Sequence, residues 1–254
     1  MIELNNVAAG YHGRPAINQI SLTVAEGQIT TILGRNGCGK TTLLRTIARL
    51  LQVSSGEIQL DGKDLYSYDS RELARKVSYL PQIKQSSPIS VQTLVQHGRF
   101  PHLPLTRRLS AQDLDIAEQA MRETGIRDLS HRIVSELSGG ERQKAYLAMT
   151  LAQDASVILL DEPTAYLDVN HQLEIYRIVE KLKQMGKTVL MVLHDVPAAL
   201  RHSDRICLMA DGRIVMHDTV DNVLASGQIN RIFQIRLEQW NRPGVPPAYF
   251  IDRS

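Results

Sequence analysis

The sequence predicts an α/β fold with a largely parallel sheet and a helical insertion, on three observations. Short β-rich runs alternate with stretches of helical apolar spacing towards both ends of the chain. A glycine-rich loop, Gly34-Arg35-Asn36-Gly37-Cys38-Gly39-Lys40-Thr41, lies between one such run and one such stretch. The middle, about residues 86–155, is helical almost throughout. With 254 residues, 43% of them hydrophobic, the chain can bury one core with a subdomain. The expectation is therefore a single domain over 1–254, a helical subdomain at about 86–155 and a short tail at about 227–254.

The elements follow in order. Residues 1–7 are strand-like, 17–24 alternate as a strand does, and Glu26-Gly27 is a turn. Residues 28–33 form a β-rich run that ends in the glycine-rich loop. Leu43, Leu44, Ile47, Leu50 and Leu51 then have helical spacing over 41–51. Residues 57–60 with Asp61-Gly62 read as strand and turn, and 77–80 as a strand ending at Pro81-Gln82. Helices are expected at 91–99, 111–124 and 141–153. The alternation resumes with a strand at 157–160, a helix at 171–185, a strand at 188–193, a short helix at 197–202 and strands at 205–209 and 213–217. Pro243, Pro246 and Pro247 predict an irregular end.

The bulk numbers exclude several functions. A formal net charge of +2 gives no case for nucleic acid as a partner, and Arg107-Arg108 is a pair rather than a basic run. Cys38 and Cys207 suggest neither a disulfide nor a metal framework, so a reducing cytoplasm is expected. The first residues lack the pattern of a signal peptide, and runs such as 189–193 are too short to span a bilayer. If a membrane is involved, other chains cross it.

The loop 34–41 matches G-x-x-x-x-G-K-T, a phosphate-binding P-loop. Glycines let the backbone curl so that N–H groups face phosphate oxygens, and the next helix adds its dipole. Lys40 brings positive charge to the β- and γ-phosphates of ATP, and the Thr41 hydroxyl can ligate Mg²⁺. Cys38 reads as a small residue filling the loop, although amide-rich surroundings could also activate its thiol. Arg35 reads as solvent-facing. Residues 157–163 are a buried strand ending in two carboxylates. With a P-loop present, Asp161 becomes the candidate Mg²⁺ ligand and Glu162 the candidate general base.

Leu137-Ser138-Gly139-Gly140-Glu141 opens a helix, with Ser138 and Glu141 at capping-box spacing. Taken alone it is a well-capped helix. It is also a second end rich in free N–H groups, with glycines that permit close approach. One nucleotide needs one P-loop, so a second phosphate-binding end suggests two copies sharing each nucleotide.

In the order of these motifs the sequence resembles the ATPase subunits of ABC transporters, over nearly the whole chain: P-loop, Gln82 at a strand end, Leu-Ser-Gly-Gly-Glu, Asp161-Glu162, Leu167-Asp168 and His194. The resemblance implies a P-loop NTPase ABC-ATPase core with an N-terminal antiparallel β region and an inserted helical subdomain. It implies a homodimer in which Ser138, Gly139 and Gly140, with Glu141 beside them, meet the γ-phosphate held by the partner's loop. Gln82 would sense Mg²⁺, the attacking water and the permease. Asp168 would lie in the loop joining the two sites, and His194 would steady the γ-phosphate. Tyr11 would lie against adenine, and Gly34, Asn36, Gly37, Cys38, Gly39, Lys40, Thr41 and Thr42 would cradle the phosphates. Glu141 stands where the family commonly has Gln; either completes a capping box.

Residues 91–102, with Gly98-Arg99 followed by Pro101-His102, look like the segment after the Gln loop in importers of iron–siderophore, heme and cobalamin. Nothing in that segment binds iron; it would contact the permease. The resemblance thus implies a subunit on the cytoplasmic face of the membrane, held by permease subunits and served indirectly by a substrate-binding protein. Two alternatives stay open: the ATPase of another transporter class, and a soluble ABC ATPase acting on ribosomes or DNA.

Overall fold

A computed structural model describes residues 1–82, 87–103, 108–242 and 244–253. The expected subdomain start at Ser86, Arg107 of the arginine pair, Pro243 and the tail's last residue Ser254 lie outside the described residues. The chain divides into two compact units, Met1–Ser67 with Thr188–Ser254, and Tyr68–Lys187.

The first unit begins with β1 (Ile2–Tyr11) and β2 (Arg14–Val24), followed by β3 (Ile29–Gly34) and α1 (Lys40–Ile47). Helix α1 stops short of the expected residue 51. Arg49 adopts φ +56°, and the amides of Leu50 and Leu51 turn back to the Arg45 carbonyl, a left-handed helix stop. Next come β4 (Val53–Leu60) and the two-residue β5 (Lys63–Asp64).

The second unit holds α2 (Ser70–Lys76), β6 (Val77–Leu80), α3 (Val91–His97), α4 (Ala111–Glu123), α5 (Gly139–Ala152), β7 (Val157–Asp161) and α6 (Val169–Gln184). Residues 87–155 of the expected subdomain fall inside it. Helix α2 gives no periodic signal, because Leu73 is its single buried residue. Its start is nevertheless marked by the capping box of Asp69 and Glu72.

The chain then returns to the first unit with β8 (Thr188–Val192), α7 (Val196–His202), β9 (Arg205–Ala210), β10 (Arg213–Thr219) and α8 (Val220–Ala225). It ends in α9 (Gln228–Phe233) and a hairpin of β11 (Ile235–Arg242) and β12 (Val245–Arg253). The irregular tail expected from the prolines is therefore corrected. Leu237, Trp240, Tyr249, Phe250 and Ile251 are good strand formers, and Gly244 supplies the turn at φ +75°. Pro246 and Pro247 fall where the register shifts, between the Arg242–Val245 and Trp240–Ala248 pairs, and a bulge of this kind accommodates residues that cannot donate to the ladder.

Two sheets organise the first unit. One is antiparallel, in the order β2-β1-β4-β5, with Leu4 facing Leu22 on one side and Ile58 on the other. The other runs β10-β9-β3-β8, with β3 parallel to both β8 and β9 and β10 antiparallel at the edge. Strands β3 and β8 are buried at every residue, as strands covered on both faces are. Leu43, Leu44 and Ile47 of α1 are fully buried, each worth roughly 1.5–3 kcal/mol of burial. In the second unit β6 and β7 pair in parallel, Val77 with Val157 and Leu80 with Leu160, and α3, α4 and α5 pack together.

Candidate functional site

The P-loop leaves the end of β3, where Gly34 pairs with Met209 of β9. A Cβ on Gly34 would lie 2.4 Å from the Met209 carbonyl oxygen and 2.6 Å from Cys38 Sγ, so only glycine fits. Gly39 precedes α1 at φ +99°, and a Cβ there would meet Ile17 and the Ala16 carbonyl. Gly37, at φ +81°, faces open space. The left-handed conformations of Gly37 and Gly39 give the tightly curled backbone that a phosphate-binding loop requires.

Lys40 is buried, and its ammonium donates to the carbonyls of Gly34 at 2.8 Å and Arg35 at 3.1 Å. Arg35 and Asn36 are exposed, as expected for Arg35, and Thr41 is exposed at the start of α1 while Thr42 is buried. Cys38 is buried; desolvation pushes its thiol pKa up, against the lowering pull of Lys40. That environment favours an inert loop-filling thiol. The half-exposed Tyr11 ring lies 5.8 Å from the Arg45 guanidinium, which donates to its hydroxyl at 3.4 Å. His194 follows β8 and is exposed.

In the second unit, Asp161 ends β7 and is 3% exposed; the Tyr79 hydroxyl of β6 donates to its Oδ2 at 3.2 Å. Glu162 follows at φ +53°, a strained backbone conformation for a residue with a side chain. Gln82 Nε2 donates to Glu162 Oε2 at 2.9 Å. Gln82 and Glu162, predicted separately, are therefore in direct contact. Tyr79 escaped sequence reading, since a tyrosine in a strand has no motif; its one cue is its place three residues before Gln82.

The capping box at α5 is complete. The Ser138 amide and hydroxyl donate to Glu141 Oε2 at 2.9 and 2.8 Å, and the Glu141 amide donates back to Ser138 Oγ at 3.3 Å. The Ser138 amide, then its hydroxyl, holds the Glu141 carboxyl below its ordinary pKa. The amides of Gly139 and Gly140 stand in the first turn, where no intrahelical acceptor exists. Asp168 caps α6, accepting from the His171 amide at 3.0 Å and pairing with His171 Nδ1 at 2.8 Å. These bonds, the amide's first, lower the Asp168 pKa. Between Glu162 and Asp168, Tyr166 is 95% exposed at φ +62°.

The segment 91–102 behaves differently from expectation. Gly98 leaves no room for a Cβ, which would lie 2.2 Å from the Met149 carbonyl oxygen. Arg99 is buried, donating to Asp113 Oδ1 at 3.0 Å and to the Ala152 carbonyl at 2.9 Å. His102 Nε2 pairs with the Gln153 carbonyl at 2.9 Å. Only Phe100 of residues 98–102 is exposed, its ring 4.6 Å from that of His97. Residues 98–102 are therefore mostly engaged within the chain, and Phe100 is the most exposed of them.

Oxygen donors of the kind Mg²⁺ takes are present in the Asp161 carboxylate and the Thr41 hydroxyl. The loop backbone and Lys40 suit the phosphates of ATP. Among the described residues no helix is long and apolar enough to cross a membrane.

A family model described as ABC transporter matches residues 17–165. The iron(3+)-hydroxamate import ATP-binding protein of Bacillus subtilis (strain 168) is 36% identical over 239 residues, 93% of this chain and 89% of that one. The ferric enterobactin transport ATP-binding protein of Escherichia coli (strain K12) is 38% identical over 230 residues, 89% of this chain and 84% of that one. Among solved structures, a bacterial ABC transporter cassette in dimeric form superposes with a TM-score of 0.76 at 27% identity, covering 87% of this chain and 99% of that chain.

Proposed function

This chain belongs to the ABC transporter family, and on that premise we propose that it is the ATP-hydrolysing subunit of an importer for an iron chelate of the siderophore class, with heme and cobalamin as the neighbouring alternatives. The observation that carries the cargo class is the kinship with siderophore-import ATPases over most of both chains. It disfavours a ribosome- or DNA-acting ATPase. The subunit works as a dimer on a membrane permease, at the cytoplasmic face, with a substrate-binding protein delivering cargo.

The residues then take these parts. Lys40 exchanges its two carbonyl acceptors for β- and γ-phosphate oxygens, and the loop amides hold the rest of the chain of phosphates. Asp161, steadied by Tyr79, and Thr41 would hold Mg²⁺, which when bound neutralises phosphate charge. Glu162 takes the proton of the attacking water, and Gln82 holds its carboxylate in place. His194 steadies the γ-phosphate, and Tyr11 with Arg45 presents a flat cationic face to adenine. Ser138, Gly139 and Gly140 receive the γ-phosphate held by the second copy, so that binding closes the dimer and hydrolysis reopens it.

The test is stimulated hydrolysis by the assembled transporter in lipid nanodiscs. Binding protein loaded with a ferric siderophore should accelerate ATP turnover, while the heme- or cobalamin-loaded form should not. Stimulation by heme or cobalamin alone would refute the siderophore class. Failure to co-purify with any polytopic membrane protein would refute the transport role.

A further inference from the structure

The N-terminus of α5 has a neighbour that none of the motifs accounts for. The His171 imidazole, on the first turn of α6, lies flush against the backbone of Gly140. A Cβ on Gly140 would fall 1.9 Å from Cδ2, 2.3 Å from Cγ and 2.5 Å from Nε2 of that ring. The ring therefore occupies the space that any other residue at position 140 would need. A Cβ on Gly139 would be 3.7 Å from a Leu167 methyl, so the loop before α6 also reaches this helix end.

The same ring is tied at its other edge. Its Nδ1 lies 2.8 Å from Asp168 Oδ2, and Asp168 Oδ1 accepts the His171 amide at 3.0 Å. A carboxylate can only accept, so Nδ1 carries the proton of this bond. The His171 side chain is 31% exposed, whereas the Asp168 side chain is 65% exposed and presented to solvent. One ring thus joins an exposed carboxylate to the helix end that offers free amides.

We infer that His171 is a positioning residue that locks Asp168 to the Gly139-Gly140 helix end, so that both parts of the chain that reach the second copy move as one body. This rests on the reading of a nucleotide shared between two copies. Two contacts made by separate loops would each have to be ordered on closure. A rigid Asp168–His171–Gly140 unit is ordered before the partner arrives, which lowers that cost.

The experiment uses the full chain in two backgrounds, unaltered for turnover and Glu162→Gln for trapping the ATP-bound dimer. His171→Leu keeps volume against Gly140 but removes the bond to Asp168. His171→Asn returns a donor at the Nδ1 position. With His171→Leu, ATP-driven dimerisation and kcat should each fall about tenfold, the scale of one lost charge-assisted hydrogen bond, while binding of a fluorescent ATP analogue to the monomer stays within about twofold. His171→Asn should recover both to within about threefold of the parent. Dimerisation and kcat unchanged in His171→Leu would overturn the inference, as would an Asn variant no better than the Leu one. A drop in melting temperature common to both variants, with dimerisation lost in proportion, would reduce His171 to packing and overturn it too. If the Glu162→Gln chain with His171 intact forms no ATP-bound dimer, the shared-site reading itself has failed, and the inference with it.

Discussion

Replacing Asp113 with alanine should strongly destabilise the helical unit. Arg99 and Asp113 have side chains only 6% and 10% exposed, so the substitution leaves a guanidinium buried with, among the described residues, the Ala152 carbonyl as its remaining partner. Breaking a buried pair by removing one member costs about 3–5 kcal/mol. Asp113 also completes the cap of α4, accepting from the Ser110 amide at 3.0 Å and hydroxyl at 2.6 Å, which adds about 1 kcal/mol. For a chain of this length each kcal/mol moves the melting temperature by about 2–4 °C. Urea unfolding followed by far-ultraviolet circular dichroism measures the loss. Ser110→Ala isolates the cap, and Arg99→Met with Asp113→Leu should recover most of the stability, because an apolar pair carries no desolvation penalty. Ser110 first, then the Arg99 pairing, holds the Asp113 carboxyl below its ordinary pKa. Its folded value being depressed, the contribution is present above the unfolded carboxylate value of about 3.9 and lost as pH falls through the lower folded value. The destabilisation should therefore be flat from about pH 5 to 8 and shrink only in acid. A loss under about 1 kcal/mol for Asp113→Ala at neutral pH would refute the reasoning.

Glu162→Gln should bind ATP but hydrolyse it about 10²–10⁴-fold more slowly, measured by phosphate release, and near-normal turnover would remove Glu162 as the base. Cys38 is buried and its thiol pKa is raised, so a maleimide should label it at least about tenfold more slowly in the native chain than in urea. Rapid native labelling at neutral pH, blocked by ATP, would show an activated thiol instead.

Contiguous chemistry was legible in the sequence, and contacts made by the topology were not. The P-loop and Asp161-Glu162 each concentrate their chemistry in a few neighbouring residues, flanked by a strand whose apolar run is unmistakable. The Gln82–Glu162 and Tyr79–Asp161 bonds join residues 80 and 82 positions apart. They exist because β6 and β7 pair in parallel and end side by side, which no local pattern encodes. Helix α2 was hidden because one buried leucine makes no period. The C-terminal hairpin was hidden because proline argues against strands in general, yet costs little where it falls at a shift in the register.

The segment 91–102 shows how a family likeness can be carried by packing. Gly98 is required because α3 ends against the Met149 carbonyl, and Arg99 because a buried carboxylate at 113 and a helix-end carbonyl at 152 need a planar donor with several N–H groups. His102 satisfies the carbonyl of Gln153, and the Pro101 carbonyl accepts from Arg75 Nε at 2.8 Å. Each of these groups is engaged within the chain. Phe100, 52% exposed and backed by the His97 ring, is the most exposed side chain of residues 98–102, and an aromatic backed by a second ring is a suitable anchor for another protein. In this chain residues 98–102 therefore serve to join α3, α4 and α5, and their chemistry carries no cargo preference.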